Sequence, residues 1–264
     1  MKLSVFSSIL SPSDWGAIKL INNIVNLKRF GETEYILVVT KAGLDAKDAI
    51  RHETSGLPNV KVEFRDKDAG LYGSWNIAAQ IASGEYLTNA NYDDRRLYNG
   101  LDIQLGACDM GADVVYFDSL IAENESQLDN PNLCRTRSLL PEFSDGDLIR
   151  YCLPFCNPIW KRNLHTDSKL LFTDEFGSCG DLEFWCRVRT VYPESVFRKM
   201  NALVGVYYRN PVGASTNKWQ AESRARAEAF VKTEYAKKLL YNGPLGGRLE
   251  DIYVPTLTKG PQAT

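Results

Sequence analysis

Two carboxylates stand side by side in Asn89-Ala90-Asn91-Tyr92-Asp93-Asp94-Arg95-Arg96, with the Asn91 amide two residues ahead of the first. Adjacent anions are costly to hold together unless positive charge lies between them. A hard divalent cation, bound through one or two carboxylates and completed by water and phosphate oxygens, satisfies that need. A solvated acidic turn with Arg95 and Arg96 as its own counter-ions satisfies it as well. A further carboxylate, Asp181, opens a helical pattern in Gly180-Asp181-Leu182-Glu183-Phe184-Trp185-Cys186-Arg187. The helix dipole keeps a carboxylate at that end ionised and able to accept a proton, although an ordinary N-cap occupies the same position. Histidine chemistry has few candidates, because His52 and His165 are the only two, and His165 reads as a structural hydrogen-bonding residue.

These groups need a frame that carries them to one edge. Leu3 to Leu10 reads as a strand, and Ser11-Pro12-Ser13-Asp14 supplies a turn and helix cap before Trp15. Apolar residues then recur at helical spacing through Ile18, Ile21, Ile24, Val25 and Leu27, ending at Phe30-Gly31. Tyr35 to Thr40 is a short apolar run suited to a strand buried on both faces. A weaker helix over Asp45 to Glu53, a strand over Val60 to Phe64, a helix over Leu71 to Ala82 and a strand from Tyr86 to Thr88 follow. A helix over Leu97 to Gly106 and a strand over Asp113 to Phe117 complete the series. Such alternation calls for an α/β fold with a mostly parallel sheet flanked by helices. In open sheets of this kind ligands bind outside the carboxyl ends of the strands, which is where the Asp93-Asp94 pair falls.

Beyond residue 119 the rhythm breaks. Ala122 to Arg150 is polar and reads as a long functional loop or flap. Helix returns over Asp181 to Val191, a strand over Ala202 to Tyr208, and one long helix over Asn217 to Tyr241 with Trp219, Phe230 and Leu239 inward. The expected organisation is a domain over 1–210, with halves 1–119 and 120–210, and a helical, irregular extension over 211–264.

Composition excludes several classes. The 264 residues are 44% hydrophobic and 24% charged, with 31 Lys+Arg against 33 Asp+Glu for a net charge of -2. General nucleic-acid binding lacks the positive excess it needs. No apolar run approaches the roughly 20 residues of a membrane-spanning helix. Met1-Lys2-Leu3-Ser4-Val5-Phe6 runs straight into strand-like sequence without a signal-peptide pattern, so the expected location is cytoplasmic. Six cysteines, none paired as C-x-x-C, read as small buried apolar residues.

The block from Asp68 to Arg96 resembles the nucleotide-sugar half of family 2 glycosyltransferases, which have the GT-A fold. Gly70, Asn76, Gly84-Glu85-Tyr86 and Asn91-Tyr92-Asp93 occur in the order and spacing of that family's glycine, helix asparagine, strand entry and Asp-x-Asp-type motif. Pro158 to His165 and Gly180 to Arg187 look like its acceptor-side segments, and the likeness spans residues 2 to 210. A subset of bacterial members is similar in pairing Asn-Ala-Asn-x-Asp-Asp-Arg with Gly-Asp-x-Glu-Phe-Trp.

The resemblance implies inverting transfer of a sugar from a nucleotide-sugar donor to the hydroxyl of a glycan or other acceptor. Asp181 would be the general base, and Mn²⁺ or Mg²⁺ would sit on Asp93, with Asp94 as second ligand or support. Ser7, Thr40, Asp66, Asp68, Asn76, Asn91 and Arg209 would contact the donor. Two positions depart from the family pattern: Thr40-Lys41-Ala42-Gly43 lacks the acidic residue often found after strand two, and Gly180 replaces the Glu of the usual Glu-Asp pair. Trp160 and Trp185 are candidates for stacking on an acceptor sugar or for the core. A sugar-phosphate nucleotidyltransferase is the enzymatic alternative, disfavoured because no glycine-rich, Arg-containing loop follows Leu3 to Leu10. A degenerate sugar-binding domain is the non-enzymatic one.

Overall fold

A computed structural model describes residues 1–12, 14–151, 153–154, 156–167, 169–211 and 218–236. The first half follows the expected alternation: β1 (Leu3–Leu10), α1 (Asp14–Val25), β2 (Thr33–Thr40), α2 (Leu44–Thr54), β3 (Val60–Arg65), α3 (Leu71–Ile81) and β4 (Tyr86–Asn89). A two-residue β5 (Arg95–Arg96), α4 (Gly100–Cys108) and β6 (Val114–Ala122) come next. Then follow α5 (Glu125–Asp129), β7 (Thr136–Ser138), α6 (Asp145–Tyr151), β8 (Ile159–Lys161), α7 (Asn163–Thr166), α8 (Gly180–Val191), β9 (Phe197–Tyr208) and α9 (Lys218–Glu234).

The strands form one sheet in the order β3-β2-β1-β4-β8-β6-β9-β5, with β7 added to β6. The β3-β2-β1-β4 half is parallel throughout. The other half is mixed: β8 runs antiparallel to both β4 and β6, β9 is parallel to β6, and β5 and β7 are antiparallel. Alternate strand residues point to opposite faces. Val5, Leu37 and Val39 pack with Leu20, Ile24 and Leu105 of α1 and α4 on one face, and Phe6, Ile36 and Val38 pack with Trp75, Phe184 and Val231 of α3, α8 and α9 on the other. Helices on both sides explain why all eight residues of β2 are buried.

Several elements differ from the sequence reading. The polar stretch after residue 122 is not one open loop: β7 pairs with β6, and Leu148 and Ile149 of α6 enter the core. The segment around Trp160 is a short strand in mid-sheet, and Trp160 and Trp185 are both buried in the aromatic core. In α9 the inward residues are Ala227 and Val231, while Phe230 lies half-exposed against Phe176. Leu239 and the side chain of Trp219 lie outside what is described. No described helix is long and apolar enough to cross a membrane. The described cysteines, Cys108, Cys134, Cys156, Cys179 and Cys186, are free thiols, and Cys152 lies outside the described residues.

One buried carboxylate sets the entry to β4. Glu34 accepts hydrogen bonds from Ser4 Oγ, from Ser83 N at 2.8 Å and Ser83 Oγ at 2.9 Å, and pairs with Lys61 Nζ at 2.6 Å. Burial alone would raise its pKa, but these donors outweigh it and bring the value from 4.5 down to about 2. A depressed folded value stabilises the fold above the unfolded value and is lost as pH falls from about 4.5 towards 2. Glu34→Gln is therefore expected to lower stability at neutral pH by about 3 kcal/mol, measured by urea unfolding, and to flatten the acid limb of stability.

His165 holds the aromatic core together. Trp160 Nε1 donates to its Nε2 at 2.9 Å, and its Nδ1 donates to Leu170 O at 2.8 Å, which fixes the neutral tautomer. Burial pulls its pKa from 6.5 down to about 4, so the neutral form stabilises the fold above pH 6.5, and that contribution fades between 6.5 and 4. A histidine NMR titration is expected to show one ring, His165, still neutral near pH 5.

Candidate active site

The chain passes outward from β1 to β2 and β3, then returns to β4 on the other side of β1. Strand order therefore reverses between β1 and β4, and the crevice outside their carboxyl ends is the place where such sheets bind ligands. The turns that follow β1 and β2 hold non-glycine residues at positive φ, Ser11 at 42° and Lys41 at 52°. The Asn89-to-Arg96 segment leaves β4 into this crevice, as the sequence implied.

The turn is held from within. Asn89 Nδ2 donates to Asn91 Oδ1 at 2.8 Å, and Asn91 Nδ2 donates to Asp94 Oδ2 at 2.8 Å. Tyr208 N at the end of β9 donates to Asp94 Oδ1 at 3.0 Å, and the Cys156 thiol reaches Asp94 Oδ2 at 3.5 Å. Asp94 is 3% exposed, and burial followed by the neighbouring Asp93 charge pushes its pKa up to about 7. Beneath it lies buried Arg96, whose Nη2 donates to Thr88 Oγ1 at 2.7 Å and Asn89 O at 2.8 Å and whose Nε donates to Gln104 Oε1 at 3.0 Å. Asn23 of α1 clamps the Arg96 backbone with two hydrogen bonds, at 3.1 and 2.9 Å.

Asp93 behaves differently from Asp94. It is partly exposed, receives a hydrogen bond from the Asn210 side chain and feels the Arg95 charge, while burial raises its pKa. Asp94 is thus committed to protein donors, and Asp93 is the more exposed of the two carboxylates. No group of three or more His, Cys, Asp or Glu gathers among the described residues. A cation here would draw one carboxylate from the chain and its other ligands from water and phosphate, a set that suits Mg²⁺ or Mn²⁺.

Asp181 sits in the first turn of α8, half-buried, where its Oδ1 accepts from Leu182 N at 2.9 Å and from Tyr72 Oη at 3.2 Å. Arg209 follows β9, between the two residues that touch Asp94 and Asp93, and its guanidinium pairs with Glu123 at 2.8 Å on the surface. Asp68 Oδ1 accepts from Gly70 N at 2.9 Å, at the start of α3. Asp66 is exposed beside Lys47 at 3.2 Å, at the carboxyl end of β3.

The remaining expected contacts face inward. The Ser7 hydroxyl shares a 3.0 Å hydrogen bond with Tyr35 Oη in the core, and Thr40 is 1% exposed with its hydroxyl 3.5 Å from Ile9 O. Asn76 clamps the backbone of Phe172, donating to its O and accepting from its N at 2.9 Å each. It fixes the segment that leads to Asp181. Tyr72, Cys156 and Tyr208 were not singled out in the sequence, and Arg96 was read as a counter-ion of the turn, whereas its guanidinium donates to Thr88, Asn89 and Gln104. Of the four only Arg96 carried a signal, as a charge beside the motif.

The fold is α/β of the GT-A type. It superposes on a fragment of TarS from S. aureus, residues 1–349, in complex with UDP-GlcNAc, with a TM-score of 0.69 at 17% identity over 90% of this chain and 69% of that one. The same TarS fragment without that ligand gives 0.63 at 17% identity, over 89% and 74%. The mannosyltransferase PcManGT from Pyrobaculum calidifontis, in complex with GDP-Man and Mn²⁺, gives 0.57 at 13%, over 94% and 76%. No protein-family model and no curated protein matches the sequence.

Proposed function

We propose that the protein is a glycosyltransferase that moves a sugar from a nucleotide-sugar donor to an acceptor hydroxyl, with inversion at the anomeric carbon. The observation that carries this reading is the Asn91-to-Asp94 turn, locked at the β1/β4 crevice of a fold shared with solved structures that hold UDP-GlcNAc and GDP-Man.

Asp93 would hold a divalent cation, Mn²⁺ or Mg²⁺, while Asp94 keeps the turn in shape through its bonds to Asn91 and Tyr208. When bound, that ion neutralises the charge that grows on the departing diphosphate, a contribution of several kcal/mol. Asp68 and Asp66 lie at the donor end of the crevice, and Arg209 reaches the diphosphate by exchanging its surface partner Glu123. Asp181 accepts the proton of the acceptor hydroxyl as that oxygen attacks the face opposite the leaving group. A single in-line displacement of this kind inverts the configuration. The aromatic wall of Trp75, Phe172 and Trp185 behind α3 and α8 closes the core side of the site to water.

The direct check is product analysis with UDP-GlcNAc and GDP-Man as donors in Mn²⁺ or Mg²⁺. Release of a nucleoside diphosphate, with the inverted anomer in the product, is expected. Release of pyrophosphate when the protein is instead given a nucleoside triphosphate and a sugar 1-phosphate would make it a nucleotidyltransferase.

A further inference from the structure

The segment from Thr173 to Asp181 folds over the first turn of α3, and Tyr72 is where the two meet. Its backbone N–H donates to Asp174 Oδ1 at 3.2 Å, and its hydroxyl donates to Asp181 Oδ1 at 3.2 Å. The ring is 1% exposed, stacked on Phe172 at 5.6 Å and edge-on to Trp75 at 5.3 Å, so the phenol has little freedom to point elsewhere. Leu182 N reaches the same carboxylate oxygen at 2.9 Å, and two donors on one oxygen fix the plane of the carboxylate.

Gly180 makes this arrangement possible. A Cβ at that position would lie 2.7 and 2.9 Å from Tyr72 Cε2 and Cδ2 and 2.2 Å from Thr173 O. Any side chain at 180 collides with the ring. The Tyr72 ring and the Thr173 carbonyl therefore occupy the space that a side chain at 180 would need.

We propose that Tyr72 is a positioning residue for Asp181: its hydroxyl orients the carboxylate and sets its basicity, in space that a side chain at position 180 would otherwise take. The inference rests on Asp181 being the proton acceptor of the proposed reaction. Donation to the charged form of a carboxylate favours that form, so loss of the hydroxyl raises the pH at which the carboxylate takes up a proton. The charged or titratable groups on the segment, on α8 and on α9 include Asp174, Glu175, Cys179, Glu183, Cys186, Arg187, Arg226 and Tyr235. Tyr72→Phe leaves each of them in place.

The test uses the full chain without ligand and follows the side-chain carboxyl ¹³C resonance of Asp181, assigned by its disappearance in Asp181→Asn. In Tyr72→Phe the titration midpoint is expected about one pH unit higher than in the wild type, and the acid limb of kcat/KM for the turned-over donor moves with it. Site-specific 3-fluorotyrosine at 72, a stronger donor, moves both downward and covers the case in which the Phe variant folds poorly. An unchanged midpoint overturns the proposal whatever the enzyme's activity. A moved midpoint in a protein whose Asp181→Asn variant still turns over separates the two failures: it removes Asp181 as the base and, with it, Tyr72 as a positioning residue.

Discussion

Asp181→Asn is expected to lower the rate of the proposed sugar transfer by about 10²- to 10⁴-fold while donor affinity stays within a fewfold of wild type. The carboxylate lies in the first turn of α8, where the backbone N–H of Leu182 and the dipole of a 12-residue helix favour its charged form. The amide keeps the shape and can still accept from Leu182 N and Tyr72 Oη, so the fold has no reason to change. It cannot take a proton from the acceptor, which confines the loss to the chemical step. Nucleoside diphosphate release measures the rate, and calorimetric titration with the same donor measures binding. Wild-type turnover in Asp181→Asn would remove the base assignment.

Asp93→Ala is expected to cost transfer about a hundredfold or more and to abolish the metal dependence of donor binding. The neighbouring residue provides the control. Asp93 is partly exposed, and its removal leaves the hydrogen bonds from Asn89 to Asn91 and from Asn91 to Asp94 in place. Asp94→Asn sets a new amide donor against those of Asn91 and Tyr208, which now meet a carboxylate. Its main effect is on stability, about 1–3 kcal/mol. Two adjacent aspartates thus separate by measurement: thermal midpoint barely moves in Asp93→Ala and falls in Asp94→Asn. A stability loss in Asp93→Ala equal to that of Asp94→Asn would show that both are structural.

The parallel half of the fold was legible because β2 is a compact apolar run buried on both faces, while β3 at the edge alternates apolar and charged residues from Val60 to Arg65, and turn residues bound both. The second half was not. β8 spans three residues and owes its place to two-residue pairings with β4 on one side and β6 on the other, which no local periodicity encodes. The same difference governs the site. Asn91, Asp93 and Asp94 form a contiguous motif and could be read in line. Tyr208 reaches Asp94 across 114 positions of sequence and Tyr72 reaches Asp181 across 109, so only the fold brings them together. The resemblance implied Ser7 and Thr40 as donor contacts, yet the two-residue alternation of a doubly covered sheet turns both side chains inward.

The central claim is that the β1/β4 crevice takes a nucleotide sugar together with a divalent ion. The most direct measurement is the thermal midpoint of the full chain against a panel of nucleotide sugars, UDP-GlcNAc and GDP-Man among them, with and without Mn²⁺. A ligand at about 100 times its dissociation constant stabilises the folded state by about 2.7 kcal/mol, a rise of several degrees for a chain of this size. The account predicts that rise for one nucleotide class, dependent on Mn²⁺ and absent in Asp93→Ala. A midpoint unmoved by every nucleotide sugar in the presence of Mn²⁺ would contradict it.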